Sequence, residues 1–355
     1  MKEAVVDILK QAVERDGSDV FIVPGSRISV KVNGHIIPLR EEKLTPADSE
    51  VMISDIYELG GVRSMDKLRE SGDDDFSFSI RGTGRFRCNA YKQRNSLAAV
   101  LRVVSFELPD PLKLHIPDTV IDLYQEKNGM ILITGPAGSG KSTTLACIID
   151  RINERLNDHV ITIEDPIEFL HTHKKSIVSQ REISHDTASY AMALKAALRQ
   201  APDVILLGEM RDFETIQTAL TAAETGQLLL STLHTVGAAK TIDRIIDVFP
   251  ANQQQQVRIQ LSMVLRAVVS QQLIRTVDGG LEPVFEILIV NHAIQNMIRE
   301  NKVYQIDNVI FSGGADGMRS MDTDIARLYR EGKISREDAL SYAANPALLA
   351  KRLDG

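Results

Sequence analysis

The 355-residue sequence lacks several features that mark particular protein classes. It contains no tryptophan and no low-complexity run, and no segment approaches the roughly 20 apolar residues that a membrane-spanning helix needs. The first stretch, MKEAVVDILKQAVERDGSD, is charged throughout, which is typical of an amphipathic helix and not of a signal peptide. The two cysteines, Cys88 and Cys147, lie far apart and outside any Cys-x-x-Cys pattern, so neither zinc nor a disulfide is expected. With a net charge of −7, which argues against coating nucleic acid, these absences indicate a cytoplasmic globular protein.

The first hundred residues predict a small α/β domain. A helix is expected at about residues 3–14, and apolar residues alternate in DVFIVPGSRISVKVNGHIIPL and RFRCNAYKQRNSLAAVLRVVS as they do in antiparallel strands. Three prolines follow in SFELPDPLKLHIPDT, where they block helix continuation and stiffen an extended chain. We therefore expect an N-terminal domain over residues 1–103 and a linker over residues 104–117.

From about residue 118 the pattern changes to short apolar runs separated by helical stretches. The runs are NGMILITG, HVITIED, DVILLGE and LLLSTLH. Buried parallel strands have this pattern because helices cover both faces of their sheet. Beyond about residue 250 the pattern is mostly helical and includes ANQQQQVRIQLSMVLRAVVSQQL, with VFEILIV as one further strand. The sequence thus predicts a second α/β domain over residues 118–355 with a helical C-terminal part.

The stretch ITGPAGSGKSTT follows one predicted strand and precedes a predicted helix, and it fits the pattern G-x-x-x-x-G-K-[ST] completely. The glycines let successive backbone N–H groups point into one concavity, to which the helix N-terminus adds positive potential. We expect Lys141 to reach the β- and γ-phosphates of a nucleoside triphosphate and the Ser142 hydroxyl to ligate Mg²⁺. The residues predicted to bind the nucleotide are Gly135, Pro136, Ala137, Gly138, Ser139, Gly140, Lys141, Ser142 and Thr143.

Acidic side chains and a histidine follow the other predicted strands. Hydrolysis requires a carboxylate that orients or deprotonates water near the γ-phosphate, together with positive charge. DVILLGE ends in Glu209, which would lie beside Mg²⁺ and bind it directly or through water, and HVITIEDPIEF offers Glu164, Asp165 and Glu168. LSTLHT places His234 at a fourth strand end, where it could sense the γ-phosphate. The residues alone leave open which carboxylate acts on the water.

Together these stretches resemble the secretion ATPase superfamily of type II secretion and type IV pilus systems, and within it the pilus-retraction (twitching-motility) ATPases. The resemblance covers nearly the whole chain. It rests on the Walker A stretch above, ITIEDPIEF (the Asp box), LLGEMRD (the Walker B motif), TAAETGQLLLSTLHT (the His box), DRIIDVFP and SQQL. It implies an α/β fold with a PAS-like N-terminal domain and a RecA-like P-loop ATPase domain.

The resemblance also implies a function and its cofactors and partners. It implies a homohexameric ring that hydrolyses ATP with Mg²⁺ and powers pilus retraction. Such a motor would be cytoplasmic, peripheral at the cytoplasmic face of the inner membrane, and would contact the pilus platform protein and other pilus machinery. Direct binding of nucleic acid is not expected.

The resemblance assigns roles to individual residues. Glu209 matches the Walker B acid, Glu168 matches the Asp-box glutamate that acts on water, with Glu164 as the fallback, and His234 matches the second His-box histidine. ATP would lie between one motor domain and arginines of a neighbouring N-terminal domain. The candidates for these trans-acting arginines are Arg85, Arg87, Arg94 and Arg102, with Arg199 and Arg211 as alternatives elsewhere.

Three positions depart from the family pattern. Gln227 stands where the family has its first His-box histidine, and glutamine can hydrogen-bond but cannot titrate. The segment RFRCNAYKQRNSLAAVLRVVS is predicted to form a β-hairpin, and the family's Asn-Arg pair in it is reversed here to Arg94-Asn95. This reversal leaves open which arginine reaches the phosphates. Gln295 replaces an arginine in the AIRNLIRE signature, here AIQNMIRE. These departures indicate a divergent member, and one interpretation is an accessory paralogue.

Two other functions stay open. An assembly or export ATPase of the same superfamily is usually longer and carries a tetracysteine zinc module, whereas this sequence has two cysteines. A ring that binds ATP and turns it over negligibly would not need Glu168 and Glu209, both of which are present. The sequence therefore favours a retraction motor over either alternative.

Overall fold

The fold was obtained as a computed structural model that describes residues 2–32, 34–61, 64–104 and 108–354. The chain divides into two compact units, which comprise Met1–Glu107 with Glu168–Leu170 and Leu108–Ile167 with His171–Gly355. Part of the expected linker, residues 105–107, lies outside the described residues, and the domain bounds drawn from the sequence stay predictions. Within the described ranges no helix is long and apolar enough to cross a membrane.

The first unit is built on an antiparallel sheet in the order β3-β2-β1-β6-β5-β4. The strands are β1 (Asp19–Ile22), β2 (Arg27–Val32), β3 (His35–Lys43), β4 (Asp73–Ile80), β5 (Gly84–Gln93) and β6 (Ser96–Val104). The helices are α1 (Lys2–Glu14), α2 (Pro46–Leu59) and α3 (Asp66–Ser71). Helix α2 begins with a capping box, in which Thr45 and Asp48 each accept a hydrogen bond from the backbone N–H of the other. Its buried face places Ile53, Ile56 and Tyr57 in the core of this unit.

The second unit is built on a sheet in the order β13-β12-β7-β11-β10-β8-β9, in which only the β12–β13 pair is antiparallel. The strands are β7 (Gly129–Thr134), β8 (His159–Glu164), β9 (Ile177–Glu182), β10 (Val204–Leu207), β11 (Leu228–Leu233), β12 (Leu265–Arg275) and β13 (Leu281–Ile289). Their order confirms the predicted parallel α/β arrangement.

The α-helices of the second unit connect these strands and form most of its C-terminal part. They are α4 (Asp118–Ile121), α5 (Lys141–Arg155), α6 (Tyr190–Ala197), α7 (Phe213–Glu224), α8 (Ala238–Asp247), α9 (Ala251–Val264), α10 (His292–Arg299), α11 (Ile306–Ser312), α12 (Met321–Arg330), α13 (Arg336–Tyr342) and α14 (Pro346–Leu353). The mostly helical pattern predicted beyond about residue 250 is seen in α9 and in α10 to α14, and strands β12 and β13 lie between them.

Strand β7 shows why the apolar runs are continuous and not alternating. Met130 and Leu132 enter a core that contains residues of α6 to α9, whereas Ile131 and Ile133 enter the opposite core, which contains residues of α4 and α5. Both faces of the strand are therefore buried, as expected for a parallel sheet covered by helices on both sides.

The helical prediction for the stretch ANQQQQVRIQLSMVLRAVVSQQL is wrong over its second half. Helix α9 ends at Val264, and the next residue, Leu265, is the first of β12. No glycine or proline marks this boundary. The extended conformation is preferred because Ala267, Val268 and Val269 pair with β7 on one side and with β13 on the other, which completes the ladder.

Candidate nucleotide-binding and catalytic site

The phosphate loop lies between the end of β7 and the start of α5. Gly135 has a φ of 142°, and a Cβ added to it would come within 2.1 Å of the Gln271 carbonyl oxygen. Only glycine permits this approach of two backbone segments. Among the described residues, the buried hydroxyl oxygens of Thr134 and Ser139 have no hydrogen-bond partner. The loop is thus concave and holds unsatisfied polar groups, which suits a ligand rich in oxygen atoms.

Lys141 is the first residue of α5 and is only 8% exposed. Its ammonium donates hydrogen bonds to the carbonyl oxygens of Gly135, at 3.0 Å, and of Pro136, at 2.9 Å. These contacts hold the charge inside the loop. Phosphate oxygens would be stronger acceptors because they are ionised.

The remaining loop residues face solvent or the loop itself. Ser139 is buried, Gly140 and Thr143 are half-buried, and the exposed residues are Pro136, Ala137, Gly138 and Ser142. No group of three or more metal-ligating side chains occurs among the described residues. Mg²⁺ in nucleotide sites commonly takes one or two side-chain ligands plus phosphate oxygens and water. The donor set, a Ser142 hydroxyl and a strand-end carboxylate, therefore fits Mg²⁺ that arrives with a nucleotide.

Gln271 on β12 packs against the phosphate loop, a contact that the sequence alone does not predict. The residue is 3% exposed, and its Oε1 accepts a hydrogen bond from the Thr144 hydroxyl at 2.7 Å. Its Nε2 lies 3.0 Å from the position that a Cβ on Gly140 would occupy. Gln271 therefore joins the loop, the first turn of α5 and β12. The SQQL motif was the available signal, but a motif does not state what its side chains contact.

The parallel strands bring the predicted catalytic residues to one edge of the sheet. From the phosphate loop, the carboxyl ends follow the order β7, β11, β10, β8. Because neighbouring strands lie about 4.8 Å apart, the end of β10 is about 10 Å from that of β7, and the end of β8 is about 14 Å away. His234, which follows β11, thus lies between the phosphate loop and Glu209, which follows β10. The Asp box follows β8 and must reach inward to meet the phosphates.

Glu209 forms an ion pair with Arg211 and contacts the His234 ring at this edge. Its Oε1 lies 2.6 Å from Arg211 Nε, and its Oε2 lies 3.3 Å from His234 Nε2. The Glu209 side chain is 13% exposed, whereas those of Arg211 and His234 are mostly exposed. The structure therefore brings the two predicted residues Glu209 and His234 together. It adds Arg211, which the sequence analysis had considered only as an alternative arginine finger.

Tyr190 lies near several acidic side chains at this edge of the sheet. Burial raises the pKa of its phenol, and the nearby carboxylates of Glu209, Asp165 and Glu164 raise it further. A cavity of about 330 Å³ lies here and is lined by Tyr190, Asp165, Glu209 and Arg211 together with residues of α6 and α7. Acidic side chains from the ends of β8 and β10 thus share one cavity.

The two glutamates of the Asp box have different surroundings. Glu164 Oε1 accepts hydrogen bonds from the Thr162 hydroxyl at 2.6 Å and from Gln180 Nε2, on β9, at 3.2 Å. Glu168 is exposed and lies in an irregular segment beyond β8. Glu164 is therefore hydrogen-bonded to the edge strand β9, which lies on the side of β8 away from the phosphate loop.

A second cavity, of about 270 Å³, lies beside the phosphate loop. It is lined by Gly140, Thr143 and Gln271, and on its other side by the linker residue His115 and by Glu282 of β13. Glu282 is 7% exposed, and its Oε1 lies 2.9 Å from His115 Nδ1. This cavity therefore lies directly beside the residue that precedes α5.

The hairpin arginines of the first unit fall into two groups. Arg85 and Arg87 lie on β5, and Arg102 is the cross-strand neighbour of Arg87 on β6. Arg102 Nε is fixed 2.9 Å from Asp19 Oδ1. Arg94 is exposed at the turn between these strands, with a φ of 45°. At about 3.3 Å per residue, Arg94 lies about 20 Å from Arg87 along β5, so the two groups cannot contact the same phosphates.

Gln227 and Arg199 lie at the opposite edge of the second sheet. Gln227 precedes the first residue of β11, and its Oε1 accepts a hydrogen bond from the Thr225 hydroxyl at 2.8 Å. It is therefore separated from His234 by the whole strand, about 20 Å. Arg199 is exposed before the amino end of β10. Gln295 lies on α10, where its Oε1 is 3.0 Å from His292 Nδ1.

Comparison with known proteins places the chain among secretion ATPases. The sequence model of the family described as type II/IV secretion system protein matches residues 1–305. The type IV pilus retraction ATPase PilT of Pseudomonas aeruginosa is 42% identical over 342 residues, which cover 96% of this chain and 98% of that protein. The type IV pilus ATPase PilU of the same organism is 40% identical over 339 residues, which cover 95% and 87%. A crystal structure of the pilus retraction motor PilT with bound ADP has a TM-score of 0.89 at 47% identity and covers 98% of both chains.

These matches confirm the predicted fold, a PAS-like N-terminal α/β domain followed by a RecA-like P-loop ATPase domain. They extend over nearly the whole of this chain and of the retraction ATPases compared with it. The chain belongs to the type II/IV secretion system protein family and, within it, to the type IV pilus retraction ATPases.

Proposed function

We propose that this chain is an ATP-hydrolysing motor that assembles as a homohexamer and powers the retraction of type IV pili. The observation that carries the proposal is the concave phosphate loop, with buried Lys141, at the same sheet edge as Glu209. The retraction motor with bound ADP supports an adenine nucleotide as the ligand. The cavity beside Gly140 would receive the adenosine.

Each residue at the phosphate loop has a separate task. The loop N–H groups and Lys141 bind the β- and γ-phosphates and orient the terminal phosphate for in-line attack. The Ser142 hydroxyl and Glu209, directly or through water, would hold Mg²⁺, which supplies positive charge to the phosphate oxygens when it is bound. His234 reports on the γ-phosphate, because its hydrogen bond to Glu209 would change when that carboxylate takes part in binding.

Glu168 accepts the proton of the attacking water in this proposal. Glu164 is less suited because Thr162 and Gln180 already donate hydrogen bonds to its Oε1. Glu168 is exposed and lies in the irregular segment after β8. Water attacks the γ-phosphorus, the bond to the bridging oxygen breaks, and the proton of the water passes to the carboxylate.

Arginines of a neighbouring subunit complete the site. Positive charge in trans stabilises the oxygens of the transferred phosphoryl group, and in other nucleotide hydrolases such an arginine contributes about 10³- to 10⁵-fold in rate. At least one of the four hairpin arginines supplies this charge. Arg94 is a candidate because it is exposed at a turn, and Arg102 because Asp19 fixes its guanidinium.

The motor acts at the cytoplasmic face of the inner membrane. Its partners there would be the pilus platform protein and other parts of the pilus machinery. The similarity to a pilus retraction ATPase over nearly the full length of both chains supports this location.

An accessory role beside another motor is the alternative that a specific observation favours. The chain is almost as similar to the pilus ATPase PilU as to PilT, at 40% and 42% identity. It also departs from the family pattern at Gln227 and Gln295. In this role the chain would still hydrolyse ATP but would add to the retraction that a partner motor drives.

The first test measures phosphate release and nucleotide binding by the purified protein. Lys141→Ala should abolish turnover and sharply weaken ATP binding, because it removes the charge that faces the phosphates. Lys174→Ala is the matched control, since Lys174 pairs with Asp150 and Glu154 on α5 at a distance from the loop. Near-normal phosphate release by Lys141→Ala would overturn the site, and a monomer by native mass spectrometry with ATP present would overturn the ring.

The second test counts surface pili after deletion of the gene. Loss of a retraction motor should leave excess pili, because assembly continues unopposed. Absence of pili would instead identify an assembly motor. A normal number of pili would favour the accessory role.

A further inference from the structure

Glu182, the last residue of β9, is a buried carboxylate beside the Asp box. It is 2% exposed, and its Oε2 accepts a hydrogen bond from the backbone N–H of Ile167 at 3.1 Å. Ile167 is itself 4% exposed and immediately precedes Glu168. The peptide next to the proposed base is therefore held by a side chain from another strand.

The segment that Glu182 contacts depends on such bonds for its position. Residues 165–170 form neither helix nor strand, so no regular ladder holds the chain after Glu164. Because N–H bonds to a carboxylate are about twice as strong as neutral ones, one such bond to a buried amide restricts the segment strongly. The position of the Asp-box segment after β8 thus depends on Glu182.

Glu182 is in turn fixed by its own surroundings. Its backbone N–H donates to Asp186 Oδ2 at 2.8 Å, and its carbonyl oxygen accepts from Asp186 N at 2.9 Å. The following residue, Ile183, donates its N–H to the Glu164 carbonyl oxygen at 2.8 Å, which continues the β8–β9 pairing. The second carboxylate oxygen, Oε1, lies 3.4 Å from His185 Nε2. The turn that follows β9 thus fixes the backbone of Glu182, whose carboxylate contacts the Asp-box segment.

We propose that Glu182 is a positioning residue for ATP hydrolysis, which fixes the Asp-box segment so that Glu168 reaches the attacking water. The proposal rests on the function given above, because it needs Glu168 to act as the base. In this role Glu182 acts through its hydrogen bond to the Ile167 peptide and not by contact with the nucleotide. Misplacement of a reacting group by about 1 Å can cost about 10²-fold in rate, so loss of this hydrogen bond should lower turnover and not nucleotide affinity.

The test compares substitutions at Glu182 in the full-length protein. Glu182→Ala leaves the buried Ile167 N–H without its acceptor and should lower kcat at least about 10-fold. The affinity for a non-hydrolysable ATP analogue should change less than about 3-fold, since the phosphate loop is untouched. Glu182→Gln keeps an acceptor oxygen and should retain most of the activity. If Glu182→Ala does not fold, Glu182→Met fills the space without an acceptor and carries the same expectation.

Hydrogen exchange at the Ile167 amide separates positioning from a general loss of stability. Glu182→Ala or Glu182→Met should speed exchange at this amide, and Glu182→Gln should keep it slow. Ser176→Ala is the matched control, because Ser176 is equally buried just before the other end of β9 and bonds Leu156 and Asp158. It should lower stability but leave both kcat and the exchange of Ile167 unchanged.

The outcomes also separate this proposal from the assignment of the base. Unchanged exchange at Ile167, or a normal kcat, in both Glu182→Ala and Glu182→Met would overturn the positioning role. The same loss of kcat in Ser176→Ala would also overturn it, because stability would then explain the effect. If Glu168→Gln keeps normal turnover, the assignment of Glu168 as the base fails. Faster exchange at Ile167 in the Glu182 variants would still support the conclusion that Glu182 fixes the Asp-box segment.

Discussion

Replacement of Gly135 by alanine tests the geometry of the phosphate loop directly. Gly135 has a φ of 142°, and a Cβ there would lie 2.1 Å from the Gln271 carbonyl oxygen and 2.8 Å from Ser139 Oγ. Real Cβ atoms are essentially never found within 3.0 Å of such a neighbour. Because the Gln271 oxygen belongs to the backbone of β12, relief requires that the loop and the strand separate.

The expected loss of stability follows from two contributions. A non-glycine residue held in this φ region costs about 1–3 kcal/mol, and overpacking against a well-packed neighbour costs about 1–3 kcal/mol more. Gly135→Ala should therefore lower the free energy of unfolding by about 2–6 kcal/mol. Gly138→Ala is the matched control: its φ is 76°, but a Cβ there has no atom within 4 Å. Only the backbone cost of about 1–2 kcal/mol applies to it.

Urea unfolding followed by far-ultraviolet circular dichroism measures both variants, since the sequence offers no tryptophan for fluorescence. The midpoint should fall clearly further for Gly135→Ala than for Gly138→Ala. Added ATP should also stabilise Gly135→Ala less than the parent protein, because the displaced loop binds phosphate poorly. Equal unfolding midpoints for the two variants, or an unchanged midpoint for Gly135→Ala, would refute the close packing of the loop on β12.

The remaining predictions concern catalysis. Glu168→Gln should bind ATP normally but lose about 10²-fold or more in turnover, because glutamine cannot accept the proton; if Glu164→Gln shows this loss instead, the base is misassigned. Gln227→His should leave phosphate release within about 2-fold of the parent, because Gln227 lies one strand length, about 20 Å, from His234; a large gain or loss would show that this edge is coupled to the site. Arg94→Ala or an alanine at another hairpin arginine should abolish turnover but not binding, and mixing it with Glu168→Gln should restore partial activity if subunits exchange. Normal turnover in all the arginine variants would mean that the trans-acting arginine is not one of these four hairpin residues.

Much of the second domain could be predicted because its strands are buried on both faces. The four apolar runs predicted strands β7, β8, β10 and β11 in the right places, since few other structures bury nearly every residue of such a run. Parallel pairing then requires that their carboxyl ends share one edge. Glu209 and His234 were expected at that edge for this reason, and the contact between their side chains agrees with it.

Features that depend on contacts between distant segments could not be predicted. Strand β12 follows α9 without a breaker residue, and its extended form depends on pairing with β7 and β13. Gln271 and Glu182 are likewise ordinary polar residues in the sequence. Their importance appears only when the fold places one behind the phosphate loop and the other against the Ile167 amide. Local patterns do not encode such contacts.

The most direct test of the central claim is to observe single labelled pili in living cells that lack the gene. Cells supplied with the parent protein should show retraction events, whereas cells supplied with Glu168→Gln should extend pili and fail to retract them. The same result is expected for Lys141→Ala, because hydrolysis at this site is proposed to drive retraction. Frequent retraction in cells that contain only either variant, or in cells that lack the protein altogether, would contradict the claim that this chain is the retraction motor.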